Sequence, residues 1–363
     1  MSEPRYALET AREQRGGLVE RRFGPASPTS VRTRRVMRAT IYPTVAAFRP
    51  TARGINFGRR ALGAPSPPLR GTQLERTTLG GVPVEWTRSP RAIDVDPRQR
   101  VVLYIHGGGF VICSPATHRN LSSRISQVLS TPLVSVDYRM VPEGSIQTSQ
   151  ADALSAYRGL LDDGIPPEAI IVAGDSAGGN LAAHAVLTAQ EQGLPAPAAM
   201  ILLSPWVDLT TAAGSRQTNA KTESFIGGGV LDRIAKAIVP DAHERAHWRN
   251  SPINASPAQL AALPPTLIQV GDAEVLLDDG VEMGRRIGAA GGTVEVQTYE
   301  GQGHVVAMWR ANPEAKRALR EMAAWVREVF PDERDPEAPS DAVIADAVGQ
   351  PSGPSGATGS LPA

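Results

Sequence analysis

Cysteine is nearly absent from this 363-residue chain, and long apolar runs are absent altogether. Because Cys113 is the single thiol, no disulfide can form within the chain, and nothing in the sequence argues for an oxidising compartment. No run of about 18 apolar residues occurs, so the sequence predicts no membrane-spanning helix. The first residues, MSEPRYALETAREQRGG, also lack the apolar segment of a signal peptide. We therefore expect a cytoplasmic protein.

Net charge is lacking as well, because 37 basic and 37 acidic residues cancel. Total charge therefore gives no reason to expect a nucleic-acid partner. The charge is unevenly placed, however, since residues 1–70 carry 14 arginines against 4 glutamates. Such a segment could contact an anionic membrane surface, or it could be a solvated surface segment. Both interpretations stay open at this point.

Shifts in composition divide the chain into three regions. Residues 1–75 form a basic lead-in that we expect to be partly helical and to end in a Pro/Gly-rich hinge at 61–71. Residues 332–363 are rich in Pro, Gly, Ser, Ala and Asp, which is typical of a disordered tail. The region between them, 76–331, has the pattern of a folded core.

Short apolar runs in this core alternate with segments of helical length. Apolar runs ended by Gly, Pro or Asp are typical of strands buried on both faces, and their alternation with helices predicts an α/β fold with a mostly parallel sheet flanked by helices. The predicted strands lie in 101–107, 132–139, 169–176, 198–205, 265–272 and 293–300, and the predicted helices in 117–130, 148–163, 177–192, 278–291 and 313–330. One connection, 206–262, is far longer than a crossover needs and predicts a cap, to which the N-terminal residues could contribute.

The segment GDSAG, residues 174–178, matches G-x-S-x-G and lies between a predicted strand and a predicted helix. The motif requires this context, because a sharp strand-to-helix turn pushes the serine hydroxyl out into the site. The helix N-terminus behind the serine adds positive potential for a developing anion. Ser176 is therefore the predicted nucleophile.

Three glycines follow an earlier predicted strand in the segment HGGGF, residues 106–110. The backbone N–H groups of such glycines are unobstructed, which suits an oxyanion hole completed by the N–H of Ala177. A phosphate loop is the other interpretation, but the Lys-Ser/Thr that would follow its glycines is missing. We expect His106 to shape the turn and not to act as a base.

A serine nucleophile needs a histidine to take its proton and an acid to fix the tautomer of that histidine. His304 follows the last predicted strand, where the base of this arrangement is expected. The chain order serine, acid, histidine places the acid in GDAEVLLDD, residues 271–279. The candidates in that segment are Asp272, Glu274, Asp278 and Asp279.

Taken together, these segments resemble the hormone-sensitive-lipase family of bacterial esterases and lipases. The resemblance covers roughly residues 80–330 and implies an α/β-hydrolase core with a helical cap. It also implies that the N–H groups of Gly108, Gly109 and Ala177 bind the oxyanion. The segments that carry the resemblance, in the family's order, are HGGGF (106–110), VDYRMVPE (136–143), GDSAGGN (174–180), SPWVDLT (204–210) and EGQGH (300–304).

The acid segment departs from the family pattern. The family usually has D-P-L-x-D, whereas this chain has EVLLD at residues 274–278. Aligned on the downstream aspartate, the resemblance implies Glu274 as the catalytic acid, with Asp272 as the alternative from the same loop. A glutamate makes the same hydrogen bond to an imidazole as an aspartate. The predicted catalytic set is therefore Ser176, Glu274 and His304.

A competing motif occurs at residues 243–247, where HERAH matches the H-E-x-x-H signature of zinc peptidases. Two histidines four apart on a helix could share a metal ion. Here Pro240 and Pro252 limit any helix to a short segment, so the motif lacks its usual context. A non-catalytic binding module on the same fold is the other alternative, and the intact serine, glycine loop and histidine disfavour it.

The predicted function is hydrolysis of small carboxylic esters, with short to medium acyl chains, by a serine mechanism that needs no metal or organic cofactor. The sequence does not fix the acyl chain length. Phe225, Ile226 and the glycines 227–229 could form a mobile wall of the cap or a plain loop. If the segment 293–300 is an edge strand, it could pair with a second copy of the chain and give a homodimer.

Overall fold

The computed structural model describes residues 8–330 except 211 and 213. In this part of the chain one sheet is flanked by helices, and the predicted tail 332–363 lies outside the described residues. The strands are β1 Leu8–Arg15, β2 Leu18–Gly24, β3 Gln73–Leu79, β4 Val82–Arg88, β5 Val101–Ile105, β6 Leu133–Val136, β7 Ile170–Asp175, β8 Ala199–Leu203, β9 Thr266–Gly271 and β10 Val294–Tyr299. The helices are α1 Pro28–Thr40, α2 Tyr42–Ala46, α3 Ala52–Leu62, α4 Pro115–Leu129, α5 Ile146–Asp162, α6 Ala177–Glu191, α7 Ser215–Thr218, α8 Gly228–Ile238, α9 Ala242–Ala246, α10 Pro257–Ala261, α11 Leu277–Ala289 and α12 Pro313–Val329.

Parallel strands form the centre of the sheet, whose order is β1-β2-β10-β9-β8-β7-β5-β6-β4-β3. Strands β5 to β10 all run parallel. Helices α5, α6 and α11 pack on one face and α4 and α12 on the other, so alternate residues of each central strand enter different apolar layers. This arrangement confirms the α/β class. The predicted strands and helices of the core are all present, with ends that differ by no more than three residues.

The N-terminal segment corrects two predictions. Residues 8–24, expected in a partly helical lead-in, form the hairpin β1–β2, and β2 pairs in parallel with β10 from Leu18 to Phe23. The segment 293–300 is therefore not an edge strand, and it cannot be the surface on which a second copy pairs. Strand β2 takes this position beside β10 because its charged residues pair with those of its neighbours. Arg21 of β2 contacts Glu9 of β1 at 2.5 Å and Glu295 of β10 at 3.1 Å.

A second hairpin, β3–β4, extends the opposite end of the sheet. It was not predicted, because its first strand is exposed at every residue except Leu79 and therefore has no apolar run. Strand β4 pairs antiparallel with β6 and joins the hairpin to the parallel core. The outermost strands at the two ends of the sheet, β1 and β3, are therefore polar and exposed, and they cover the edges of an apolar centre.

Two stretches of helix lie over the carboxyl ends of the central strands. The first contains α1 to α3, and the second is the 206–262 connection, which contains α7 to α10. They are joined by Arg233 of α8, which donates hydrogen bonds to the carbonyl oxygens of Ala46 at 2.6 Å and Phe48 at 3.1 Å. Arg38 of α1 adds a hydrogen bond to the carbonyl of Ala220 at 3.3 Å. Among the described residues, no helix is both long and apolar enough to span a membrane.

Candidate active site

The predicted nucleophile lies in a strained turn between β7 and α6. Ser176 has φ 53° and ψ −122°, a conformation that non-glycine residues rarely adopt. Its N–H donates to the carbonyl of Leu203 on β8 at 2.9 Å, and its carbonyl accepts from the N–H of Trp206 at 2.9 Å. Gly178 allows the close packing behind this turn, because a Cβ there would lie 2.0 Å from the carbonyl oxygen of Ile105. The turn is therefore held from both neighbouring strands.

The predicted base and one predicted acid contact each other. Nδ1 of His304 lies 2.9 Å from Oε2 of Glu274, and both side chains are buried. The other carboxylate oxygen of Glu274 accepts from the N–H of Gly271 at 3.0 Å, which fixes its orientation. Because Nδ1 is held by the carboxylate, Nε2 is the ring nitrogen that is left for the cavity, which His304 lines together with Ser176.

The other candidate acids have different partners. Asp272 accepts from the N–H of Gly301 at 2.7 Å, and its second oxygen lies 3.7 Å from the guanidinium of Arg22. Asp278 accepts from the N–H of Ser215 at 2.7 Å. Asp279 is buried and pairs with Arg216 at 2.9 Å. Among the four acids of the 271–279 segment, Glu274 is thus the one that the structure brings to His304.

The backbone peptide group between His304 and Val305 is fixed at both its carbonyl oxygen and its N–H. The indole N–H of Trp309 donates to the carbonyl of His304 at 2.8 Å, and the N–H of Val305 donates to the hydroxyl of Ser204 at 2.9 Å. Burial lowers the pKa of His304, whereas the hydrogen bond and the negative charge of Glu274 raise it. Glu223 and Asp175 add smaller upward contributions, and the net pKa lies above the ordinary value of 6.5.

The predicted oxyanion loop follows β5 and faces the same cavity. Gly108 has φ 117°, and a Cβ there would lie 2.0 Å from the carbonyl oxygen of Ile112, so a side chain is excluded. Within the described residues, the N–H groups of Gly108 and Gly109 make no hydrogen bond to the protein. Ala177 is the first residue of α6, where a backbone N–H has no partner inside the helix. These groups are therefore available to an anion beside Ser176.

A buried network behind this loop was not predicted. Oδ1 of Asp175 accepts from the hydroxyl of Tyr104 at 2.6 Å and from the N–H of Gly107 at 3.0 Å, and Oδ2 lies 3.5 Å from Nε2 of His118. Burial lowers the pKa of His118, but the charge of Asp175 raises it, and the net shift is upward. Asp175 thus connects the nucleophile turn to the oxyanion loop. Its signal in the sequence is its place before the serine in GDSAG.

His106 has the structural role that was expected. Its ring stacks on Tyr138 with centroids 4.4 Å apart, and its Nδ1 lies 2.8 Å from the carbonyl oxygen of Gly107. Burial lowers the pKa of His106 to about 3, so the ring stays neutral at physiological pH. It shapes the turn between β5 and the glycines.

Glu223 is a second buried carboxylate whose charge acts on His304. Its Oε1 accepts from the N–H groups of Ser224 and Phe225 at 2.7 Å each, and its Oε2 accepts from the N–H of Val275 at 3.1 Å. Phe225 in turn stacks on the ring of His304 at a centroid distance of 6.3 Å. Glu223 therefore joins the cap segment that covers the histidine to the loop that carries Glu274. Nothing in the local sequence around Glu223 marks this role.

Residues 225–229, which follow Glu223, are partly cavity wall and partly helix. Phe225 and Ile226 line the cavity, whereas residues 228–229 are the first turn of α8 and not a loop. Asn219 donates hydrogen bonds to the carbonyls of Asp272 and Glu274 at 2.8 Å each. The loop that carries Glu274 is therefore bound to the 206–262 connection by Asn219 as well as by Glu223.

The H-E-x-x-H segment does not have the geometry of a zinc site. Helix α9 ends at Ala246, and His247 lies beyond it in an extended conformation with φ −64° and ψ 139°. The motif therefore lies on a helix of five residues that contains His243 and ends before His247. In the part of the chain that the structure describes, no three His, Cys, Asp or Glu side chains are grouped to hold a metal ion.

A cavity of about 780 Å³ connects the site to the cap. Its floor contains Ser176, His304, Gly108 and Gly109. Most of its wall is apolar and comes from the cap and from the segment after His304. Representative wall residues are Val45, Phe48, Phe57, Ile112, Ile234 and Met308. A site at the floor of such an apolar cavity suits a ligand with a substantial apolar part.

Comparison with known proteins gives consistent matches. A profile of the α/β-hydrolase fold matches residues 102–308. The acetyl-hydrolase of Streptomyces hygroscopicus is 35% identical over 251 residues, which are 69% of this chain and 81% of that protein. The carboxylesterase/phospholipase LipF of Mycobacterium tuberculosis is 32% identical over 274 residues, covering 73% of this chain and 72% of the relative.

Solved structures give the same result. An esterase from the bacterial hormone-sensitive lipase family is 32% identical, with a TM-score of 0.73, and the match covers 85% of this chain and 100% of that one. An esterase/lipase from an uncultured bacterium is 31% identical, with a TM-score of 0.75 and the same coverage.

Proposed function

The chain belongs to the α/β-hydrolase family and to its hormone-sensitive-lipase group of esterases, and from that premise we propose that it hydrolyses carboxylic esters through Ser176, Glu274 and His304. The observation that carries this proposal is the 2.9 Å contact between Nδ1 of His304 and the buried Glu274, on the floor of the cavity that Ser176 also lines. A carboxylate in this position holds the tautomer in which Nε2 can accept a proton.

The proposed mechanism has two acyl-transfer steps. His304 removes the proton of the Ser176 hydroxyl as the oxygen attacks the ester carbonyl, and then gives that proton to the departing alcohol. Water, activated by the same histidine, then hydrolyses the acyl-enzyme and releases the acid. The backbone N–H groups of Gly108, Gly109 and Ala177 bind the oxyanion, and each such donor contributes on the order of 10²- to 10³-fold to the rate.

The first test is release of p-nitrophenol from acetate, butyrate, octanoate and palmitate esters. We expect turnover that is strongest for short and medium acyl chains, is unaffected by a metal chelator, and is abolished by an organophosphonate that labels Ser176. Loss of activity with the chelator would favour the metallopeptidase alternative at residues 243–247. Failure to hydrolyse any ester would favour a binding module on this fold.

The pH dependence of this reaction follows from His304. The base must be neutral, and its pKa lies above 6.5, so kcat/KM should fall as the pH drops through that raised value. Three carboxylates face the ring: Glu274 by direct contact, and Glu223 and Asp175 through their charge. Replacing Glu223 by glutamine removes one of these negative charges, so the acid limb of kcat/KM should move to lower pH.

A matched variant separates charge from structure in that experiment. Thr222→Val removes the hydrogen bond from the Thr222 hydroxyl to the carbonyl of Ala273, 3.1 Å away, and changes no charge. It should leave the midpoint of the acid limb in place, even if kcat falls. An unchanged midpoint in Glu223→Gln would show that Glu223 has no electrostatic influence on the base.

The domain and partner predictions remain proposals. We assign the helices before residue 75 and the 206–262 connection to one cap on the core 76–331. Contact between the basic N-terminal region and an anionic membrane, and a cytoplasmic location, stay predictions from the sequence. A homodimer also stays a prediction, but the segment 293–300 is no longer its basis, because β2 covers it.

A further inference from the structure

The outer part of the ester cavity has a positive rim. Arg49 and Arg53, from the end of the α2–α3 connection and the start of α3, both line the cavity and are both exposed. Phe57 lies on the same rim and is 61% exposed, which is unusual for a large apolar side chain. The rim thus combines cationic and apolar surface directly above the apolar wall.

Acidic residues are missing from the stretch of sequence that carries this rim. Residues 25–74 contain nine arginines and not one lysine, aspartate or glutamate. Arg59 pairs with Glu143, but within the described residues neither Arg49 nor Arg53 forms an ion pair. Arg49 donates to the nearby carbonyls of Ala47 and Phe48, at 3.1 and 3.2 Å.

Like charges are also brought together at this point. Arg233 of α8 donates to the carbonyls of Ala46 and Phe48, so its guanidinium lies beside the segment that carries Arg49. Burial and the positive charge of Arg49 lower the pKa of Arg233, whereas the charge of Asp232, which pairs with Lys236 at 2.9 Å, raises it. Among the described residues that line the cavity, the acidic one is Asp175, which lies deeper. Its carboxylate already contacts Tyr104 and His118. Asp232 is paired with Lys236, so a negative group at the rim would meet the guanidinium groups of Arg49 and Arg53, which form no ion pair with a described carboxylate.

We propose that the cavity rim recognises a negatively charged group at the far end of the substrate, through Arg49 and Arg53. The substrate class is an ester whose reacting carbonyl and anionic end are separated by an apolar stretch that fills the cavity wall. Guanidinium groups suit this role, because they bind carboxylate or phosphate oxygens in a bidentate manner. This inference rests on the proposed ester hydrolysis and adds a substrate preference to it.

The test compares two substrates that differ only at the far end. Mono-p-nitrophenyl suberate carries a terminal carboxylate where p-nitrophenyl octanoate carries a methyl group. In the double variant Arg49→Gln/Arg53→Gln, KM for the suberate ester should rise about five- to tenfold, which is the sum expected of two exposed charge contacts. KM and kcat for the octanoate ester should stay within about twofold, because no charge is lost there.

A matched control and a salt series make the test specific. Arg60→Gln changes an exposed arginine of the same helix, α3, that does not line the cavity, and should leave both substrates unaffected. Raising the ionic strength should increase KM for the suberate ester alone, since exposed charge contacts are screened within about 10 Å at 0.1 M salt. A second substrate pair places the anion on the alcohol side of the ester. The butyrate ester of 4-hydroxybenzoate carries a free carboxylate there, and the butyrate ester of methyl 4-hydroxybenzoate is its neutral counterpart.

The results separate three cases: recognition of an anionic substrate, contact with a membrane, and failure of ester hydrolysis itself. An arginine-dependent KM for the suberate ester or for the 4-hydroxybenzoate ester supports the proposal. If the double variant leaves both unchanged while the neutral esters are hydrolysed normally, the proposal is overturned and ester hydrolysis stands. If the double variant loses only its binding to sedimented phosphatidylglycerol vesicles, the arginines serve a membrane contact and the proposal is overturned as well. If wild type hydrolyses no ester, the proposed function itself fails.

Discussion

Replacing Ser176 by alanine should abolish ester hydrolysis, with a fall in kcat on the order of 10⁶-fold, or roughly 8 kcal/mol of activation free energy. The change removes the attacking oxygen and keeps the Cβ, so the strained turn with φ 53° keeps its steric requirements. His304, Glu274 and the oxyanion donors would remain, but they would have no nucleophile to activate. Residual turnover should come only from solvent water in an otherwise intact site.

Burst and steady-state assays with p-nitrophenyl butyrate measure this loss, and melting temperatures verify that the variant is folded. Ser204→Ala is the matched control, because Ser204 also has a positive φ, 45°, and directly follows the neighbouring strand β8. It loses the hydrogen bond from Val305, which should cost about 1 kcal/mol, or roughly five- to tenfold in rate. Activity in Ser176→Ala within a hundredfold of wild type would assign the nucleophile elsewhere.

The central fold could be predicted because its strands are buried on both faces. Strands such as β5 and β7 have no exposed residue, so each reads as an uninterrupted apolar run. The hairpin β1–β2 could not be predicted in this way, because β1 is exposed along its whole length and carries charges. Its place in the sheet depends on contacts such as that of Arg21 with Glu295, which lie 274 residues apart in the chain. Local pattern contains no information about pairs at that separation.

The site was predictable to different degrees for a related reason. Ser176 and the glycines 107–109 belong to turns whose sequence dictates their backbone, so a motif of five residues makes them candidates. Glu223 has no such motif, because it acts through Val275, 52 residues away in the chain. The candidate acid, Glu274, could be predicted only in part. Spacing placed it in the 271–279 segment, but which carboxylate turns inward depends on how that loop is packed.

Replacing Glu274 by glutamine should lower kcat about 10⁴-fold, whereas Asp272→Asn should cost less than about tenfold. The amide keeps the size of the carboxylate, but an NH2 group in place of Oε2 cannot accept a hydrogen bond from Nδ1–H, and the imidazolium formed during attack loses its counter-charge. Asp272 contacts Gly301 and Arg22 instead, and an asparagine oxygen can still accept from the N–H of Gly301.

The comparison is decided by kcat for p-nitrophenyl butyrate, measured at a pH where the wild-type base is neutral. Glu274→Asp supplies the third variant. It keeps the charge and shortens the side chain by one methylene, so it should recover part of the activity that the glutamine variant loses. Recovery would show that the carboxylate acts on His304 by charge and hydrogen bonding and not by filling space. If Glu274→Gln and Asp272→Asn lost activity equally, or if Asp272→Asn lost more, the contact at 2.9 Å would not be the one used in catalysis, and Asp272 would be the acid.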